Sequence, residues 1–80
     1  MEKTIHTTGQ KTLLRLLKEA RESAGITQDQ LAERLGESQS FVSKCERGER
    51  RLDALELRQF CKAIGVPFPE FCKTLDQTLD

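Results

Sequence analysis

The sequence predicts an all-α domain, a compact bundle of five short helices. Apolar residues recur at helical spacing through most of the chain, and no segment alternates apolar and polar residues as a half-buried strand would. Capping residues stand ahead of these segments at Thr27, Ser38 and Asp53, and glycines close them at Gly25, Gly36, Gly48 and Gly65. The 80 residues, 36% hydrophobic and 32% charged, suit one small folded domain rather than a disordered chain.

Residues 1–10 are polar, have no apolar period and are expected to form a flexible N-terminal tail, leaving 11–80 as the domain. His6 falls in that tail and is expected to be exposed and without a role. From Lys11 to Ala24, the residues Leu13, Leu16, Leu17, Ala20 and Ala24 share one helix face, and Gly25 ends the helix. Ile26 can then pack beneath a capping box made by Thr27 and Gln30. The second helix, 28–35, buries Leu31, Ala32 and Leu35, and Gly36 supplies a turn. The third, capped by Ser38 and running to about residue 47, turns Phe41, Val42 and Cys45 inward. Asp53 and Glu56 form another capping box, and Ala54, Leu57, Phe60, Cys61 and Ile64 are the inward positions of the fourth helix. Pro67 and Pro69 suit the entry of a fifth, where proline is tolerated, and Phe68, Phe71, Cys72, Leu75 and Leu79 form its stripe. That stripe is broad for so small a bundle, so Phe71 or Leu79 is expected to face a second copy of the chain.

Several functions are disfavoured. The only imidazole lies in the expected tail, the carboxylates are interspersed with Lys and Arg as on an ordinary solvated face, and there is no glycine-rich phosphate loop. The chain is therefore not expected to be an enzyme or to hold a cofactor. Cys45, Cys61 and Cys72 form no closely spaced ligand pair, so no metal is expected; they read as reduced, buried filler. No apolar run is long enough for a membrane span and no signal peptide opens the chain, so the expected location is cytoplasmic.

Charge is polarised although the chain sums to zero. Residues 1–37 carry six basic and six acidic groups, residues 38–51 have a net charge of +2, and residues 52–80 have −2. The excess of positive charge coincides with the third helix and the loop after it. Two short helices joined by a glycine turn, with a basic loop behind the second, form a helix-turn-helix signature. A helix entering the major groove needs small or hydrogen-bonding side chains at its leading end. Ser38, Gln39 and Ser40 stand there, and Ser43 and Lys44 follow on the next outward turn. A Gln amide can pair bidentately with adenine, and Ser can donate to or accept from several bases. Alone, Ser-Gln-Ser would be a cap with polar surface; the turn glycine, buried Ala32 and trailing arginines at the right separations favour the groove.

These residues resemble the Xre/Cro-like family of phage lambda-type repressors over 13–79. The resemblance is carried by Arg21, Thr27-Gln28, Leu31-Ala32, Gly36, Ser38, Val42-Ser43 and the run Glu46-Arg47-Gly48-Glu49-Arg50-Arg51. It implies a five-helix bundle with the third helix in the major groove, and base contacts from Gln39, Ser40, Ser43 and Lys44. It also implies phosphate contacts from Gln28 and Ser38 and from the loop carrying Arg47, Arg50 and Arg51, and a structural ion pair between Arg21 and Glu46. Cys45 departs from the family, which usually has a larger aliphatic or aromatic residue there. The expected function is that of a repressor-like, sequence-specific regulator, a homodimer on an inverted-repeat operator of double-stranded DNA. Two rivals share the fold: an antitoxin whose main partner is another protein, and an adaptor that never touches DNA.

Overall fold

The computed structural model describes residues 7–79 and contains five helices: α1 Thr8–Ser23, α2 Gln28–Leu35, α3 Gln39–Glu46, α4 Ala54–Ile64 and α5 Phe68–Leu79. Each of α1 to α4 starts where a side-chain oxygen meets an otherwise unpaired backbone N–H. Thr27 accepts from the Gln30 N–H while the Gln30 side chain accepts from the Thr27 N–H, and Asp53 and Glu56 repeat this reciprocal arrangement. Ser38 accepts from the Phe41 N–H.

The first helix begins three residues earlier than the apolar pattern indicates. Thr7 accepts from the Gln10 N–H, and Thr8, Gly9 and Gln10 are helical although none belongs to the apolar stripe. Gly9 lies where a side chain would approach Leu79 at the end of α5, so the first turn of α1 packs at the last turn of α5. Met1–His6, including the expected idle His6, lie outside the described residues.

Glycine caps two of the helices directly. Gly36 at φ 71° ends α2 and Gly65 at φ 97° ends α4, both in the left-handed region that side chains rarely adopt. The Gly36 turn directs α3 back across α2, and the two helices pack against each other. Behind them, α1 packs on α3, α4 and α5, while α4 covers α2 and α5. Leu17, Leu31, Val42, Cys45, Phe60 and Cys61 are fully enclosed, so every helix but α5 sends a residue to the centre. From α5, Phe71 reaches the same core.

Three of the expected faces differ in detail. Phe71 is 4% exposed and belongs to the core, so it does not face outward; the stripe on α5 has to cover both α1 and α4. Leu79 is 49% exposed, as an outward residue should be. On α4 the expected inward Ala54 is exposed, and the neighbouring Leu55 stands 74% exposed. Leu14 and Leu52 are buried without having been read as core, and Leu52, from the loop between α3 and α4, joins the core cluster. Among the described residues, no helix is long and apolar enough to cross a membrane.

Candidate nucleic-acid interface

The leading end of α3 is where the sequence places a reader of bases, and the fold leaves it open. Ser38, Gln39, Ser40 and Lys44 are exposed, while Val42 and Cys45 on the opposite side are fully enclosed. Burial of the thiol pushes the Cys45 pKa up, and Cys61 is pushed to about 11 by burial with Cys72 nearby. Both are thereby kept as inert, protonated filler.

Gln39 does not stand alone. Its Nε2 donates to Gln28 Oε1 at 2.6 Å, and Gln28 Nε2 donates to Glu46 Oε1 at 2.8 Å. Glu46 accepts in turn from Arg21, with Nε to Oε2 at 2.6 Å and Nη2 to Oε1 at 3.1 Å. The third guanidinium nitrogen, Nη1, donates to the Ile26 carbonyl at 2.7 Å. The Arg21 and Glu46 side chains are 8% and 4% exposed, so the forked pair is buried and every arm of the fork has an acceptor. A continuous chain of hydrogen bonds therefore runs from the interior on α1, through α3's last residue and α2's first, to the exposed tip of α3. It orients both glutamine amides: a carboxylate can only accept, so Gln28 must turn its nitrogen to Glu46 and its oxygen to Gln39.

The arginines after α3 are not gathered into one cluster. Arg47 donates to Ser43 Oγ and pairs with Glu49 at 2.9 Å, and the pair is half exposed. Ser43, expected among the base contacts, is thus half-buried and joined to Arg47. Arg50 turns the other way. Its guanidinium lies 4.8 Å from the centre of the Phe41 ring, forks onto the Glu56 carboxylate at 3.1 and 2.8 Å, and donates to the Arg51 carbonyl. Phe41 in turn lies 6.2 Å from Phe60. Arg50 therefore clamps α3 to the start of α4, and Arg51 is exposed beside it. Sequence spacing carries no signal for this rotamer or for the Gln28–Gln39 bond; each depends on how two helices cross.

The Arg50 fork and the Asp53 N–H hold the Glu56 carboxyl below its usual range. A depressed folded-state pKa means that the clamp's contribution is complete above the ordinary glutamate value of about 4.3 and fades as pH falls through the depressed one. Glu56→Gln keeps the capping box but loses the charge. Its thermal midpoint should fall less steeply than wild type between neutral pH and this acid window; parallel curves would refute the clamp.

An exposed polar helix tip, seated on a buried charge network in a five-helix bundle, defines a helix-turn-helix protein, and comparison with known sequences agrees. A family model described as Helix-turn-helix matches residues 17–71. An uncharacterized HTH-type transcriptional regulator of Sinorhizobium fredii is 34% identical over 58 residues, which cover 72% of this chain and 75% of that protein. An XRE-family like protein from Pseudomonas syringae pv. tomato is 49% identical, with a TM-score of 0.88 and coverage of 95% of this chain and 93% of that one. A mutant of the restriction-modification controller protein C.Esp1396I has the same fold, with a TM-score of 0.84 at 23% identity over 91% of this chain and 97% of that one. The chain belongs to the XRE family of DNA-binding helix-turn-helix transcriptional regulators.

Proposed function

We propose that the chain is a repressor-like regulator of the cytoplasm that places α3 in the major groove of a specific operator. The supporting observation is the path Arg21–Glu46–Gln28–Gln39, which fixes an exposed amide at the tip of α3 before any DNA arrives. Such a side chain loses little freedom on binding, so more of its hydrogen-bond energy appears as discrimination. Gln39, Ser40 and Lys44 meet base edges, with Ser43 held beside them by Arg47. Ser38, Gln28 and the Arg47, Arg50 and Arg51 loop meet phosphates, where Arg50 also keeps α3 seated. Two copies bind together, with Leu55 and Leu79 offering exposed apolar surface for the contact. Two-fold symmetry then sets the recognition helices about one DNA turn apart, roughly 34–36 Å.

The test is selection of bound fragments from random duplex DNA, followed by titration of wild type and Gln39→Ala on the selected and on unrelated sequences. Selection should return an inverted repeat. Gln39→Ala should weaken binding to it by roughly 5- to 100-fold while leaving unrelated DNA nearly unchanged. Equal weakening on both DNAs would overturn the placement of α3.

A further inference from the structure

Beside the end of α3 an open cleft of about 330 Å³ runs along α1, lined by Lys11, Arg15 and Lys18 together with Glu46, Arg47 and Gly48. The three α1 cations are spaced i, i+4 and i+7, which puts them on one helix face over a rise of about 10 Å. The one carboxylate in the cleft, Glu46, is already neutralised by Arg21, so it does not offset them. Arg15 is held by the half-exposed Glu19 at 3.2 Å, and Arg47 by the half-exposed Glu49 at 2.9 Å and by Ser43 Oγ. Lys11 and Lys18 form no ion pair with another described residue. Lys18 also lies one turn before Arg21, whose guanidinium anchors the network that ends at Gln39. The stripe therefore starts at the recognition apparatus and leads away from it.

We propose that this α1 face, with Arg47, is a second phosphate-binding surface that holds the duplex backbone flanking the segment read by α3. The inference rests on the DNA-binding reading above and extends the footprint outward. Its chemistry suits a polyanion better than a single ion: the cations are flexible, spread along a line and open to solvent, with no enclosed cage. Successive phosphates of one strand rise only about 3.4 Å along the duplex axis, so a stripe about 10 Å long is enough to meet more than one of them. Exposed ion pairs such as Arg15–Glu19 cost little to open, so a phosphate can replace the carboxylate. A chain with no net charge can in this way still present a local line of cations to DNA.

The test is a salt titration of the full chain on a mixed-sequence duplex of about three helical turns, comparing wild type with Lys11→Ala/Lys18→Ala, Lys11→Arg/Lys18→Arg, Lys73→Ala and Gln39→Ala. Removing two phosphate contacts should make the plot of log affinity against log salt shallower by about 1.8. The double Arg variant should keep the wild-type slope. Lys73→Ala, a charge loss on α5, and Gln39→Ala should also leave it unchanged. Both α1 lysines are exposed, and Ala is a good helix former, so folding is retained and is verified by thermal melting. If the double Ala variant keeps the wild-type slope, the α1 surface is wrong even though α3 still reads DNA. If Lys73→Ala changes the slope as much per charge, the effect is bulk charge and the proposal fails. A wild-type chain that binds no duplex at any salt overturns this proposal and the DNA-binding reading together.

Discussion

Glu46→Ala should lower the thermal midpoint by more than about 12 °C, whereas Glu49→Ala should leave it nearly unchanged. Both carboxylates pair with an arginine, but Glu46 is buried and also accepts from Gln28. The Glu46 side chain is 4% exposed and meets Arg21 at 2.6 Å; the Glu49 and Arg47 side chains are about half exposed. Without Glu46, two arms of the buried Arg21 fork lose their acceptors, and Gln28 loses the one that orients it. An uncompensated buried charge costs about 3–5 kcal/mol. A domain of this size is stable by only about 4–12 kcal/mol in all, and each kcal/mol moves the midpoint by about 4–8 °C. The exposed pair is screened by water and gives little. Because the penalty arises from stranding one charge, Arg21→Met/Glu46→Leu should recover much of the loss. It should not recover selective DNA binding, since Gln28 and Gln39 would still lack their anchor. Differential scanning calorimetry of the four proteins checks this; equal, small shifts for Glu46→Ala and Glu49→Ala would remove the ion pair as a keystone.

The helices were legible in the sequence because each is specified locally. Thr27 with Gln30 and Asp53 with Glu56 announce helix starts three residues apart, and Gly36 and Gly65 announce ends, so α2 and α4 lie where the spacing puts them. The start of α1 was less legible because its first turn carries no apolar residue; only the Thr7 cap and the approach of Gly9 to Leu79 fix it, and the second is a contact between the two ends of the chain. Burial at helix margins was harder still. Leu55 and Phe71 are comparably apolar, yet one is exposed and one is core, a difference decided by which neighbours α4 and α5 meet. At the site, sequence indicated which residues stand at the tip of α3. It gave no sign that Gln39 would be tied to Gln28, or that Arg50 would lie across Phe41 rather than beside Arg47, because side-chain rotamers answer to tertiary neighbours.

Phe60→Ala should cost about 3–5 kcal/mol, a loss comparable to that of Glu46→Ala but by a different route. Phe60 is the largest of the fully enclosed side chains and stands behind the recognition helix, with its ring 6.2 Å from Phe41 and in the same core as Val42 and Cys45. Truncation leaves a cavity that rigid helices can only partly close, so both the transfer energy and the lost contacts are forfeited. The urea midpoint should fall with an unchanged slope, because the same surface is still exposed on unfolding. Leu55→Ala is the contrast: Leu55 is equally apolar but 74% exposed, so the isolated chain should hardly register its loss. Operator DNA should then rescue the damaged core. A ligand that binds only the folded state adds about 2.7 kcal/mol at a hundredfold excess over its Kd, which offsets most of the Phe60→Ala deficit. The variant should therefore look unstable alone and nearly normal when saturated with the selected operator, while its apparent affinity falls by the fraction of chains left unfolded. If saturating operator leaves the Phe60→Ala midpoint where it was, then DNA does not engage the folded arrangement of α3 that the core supports.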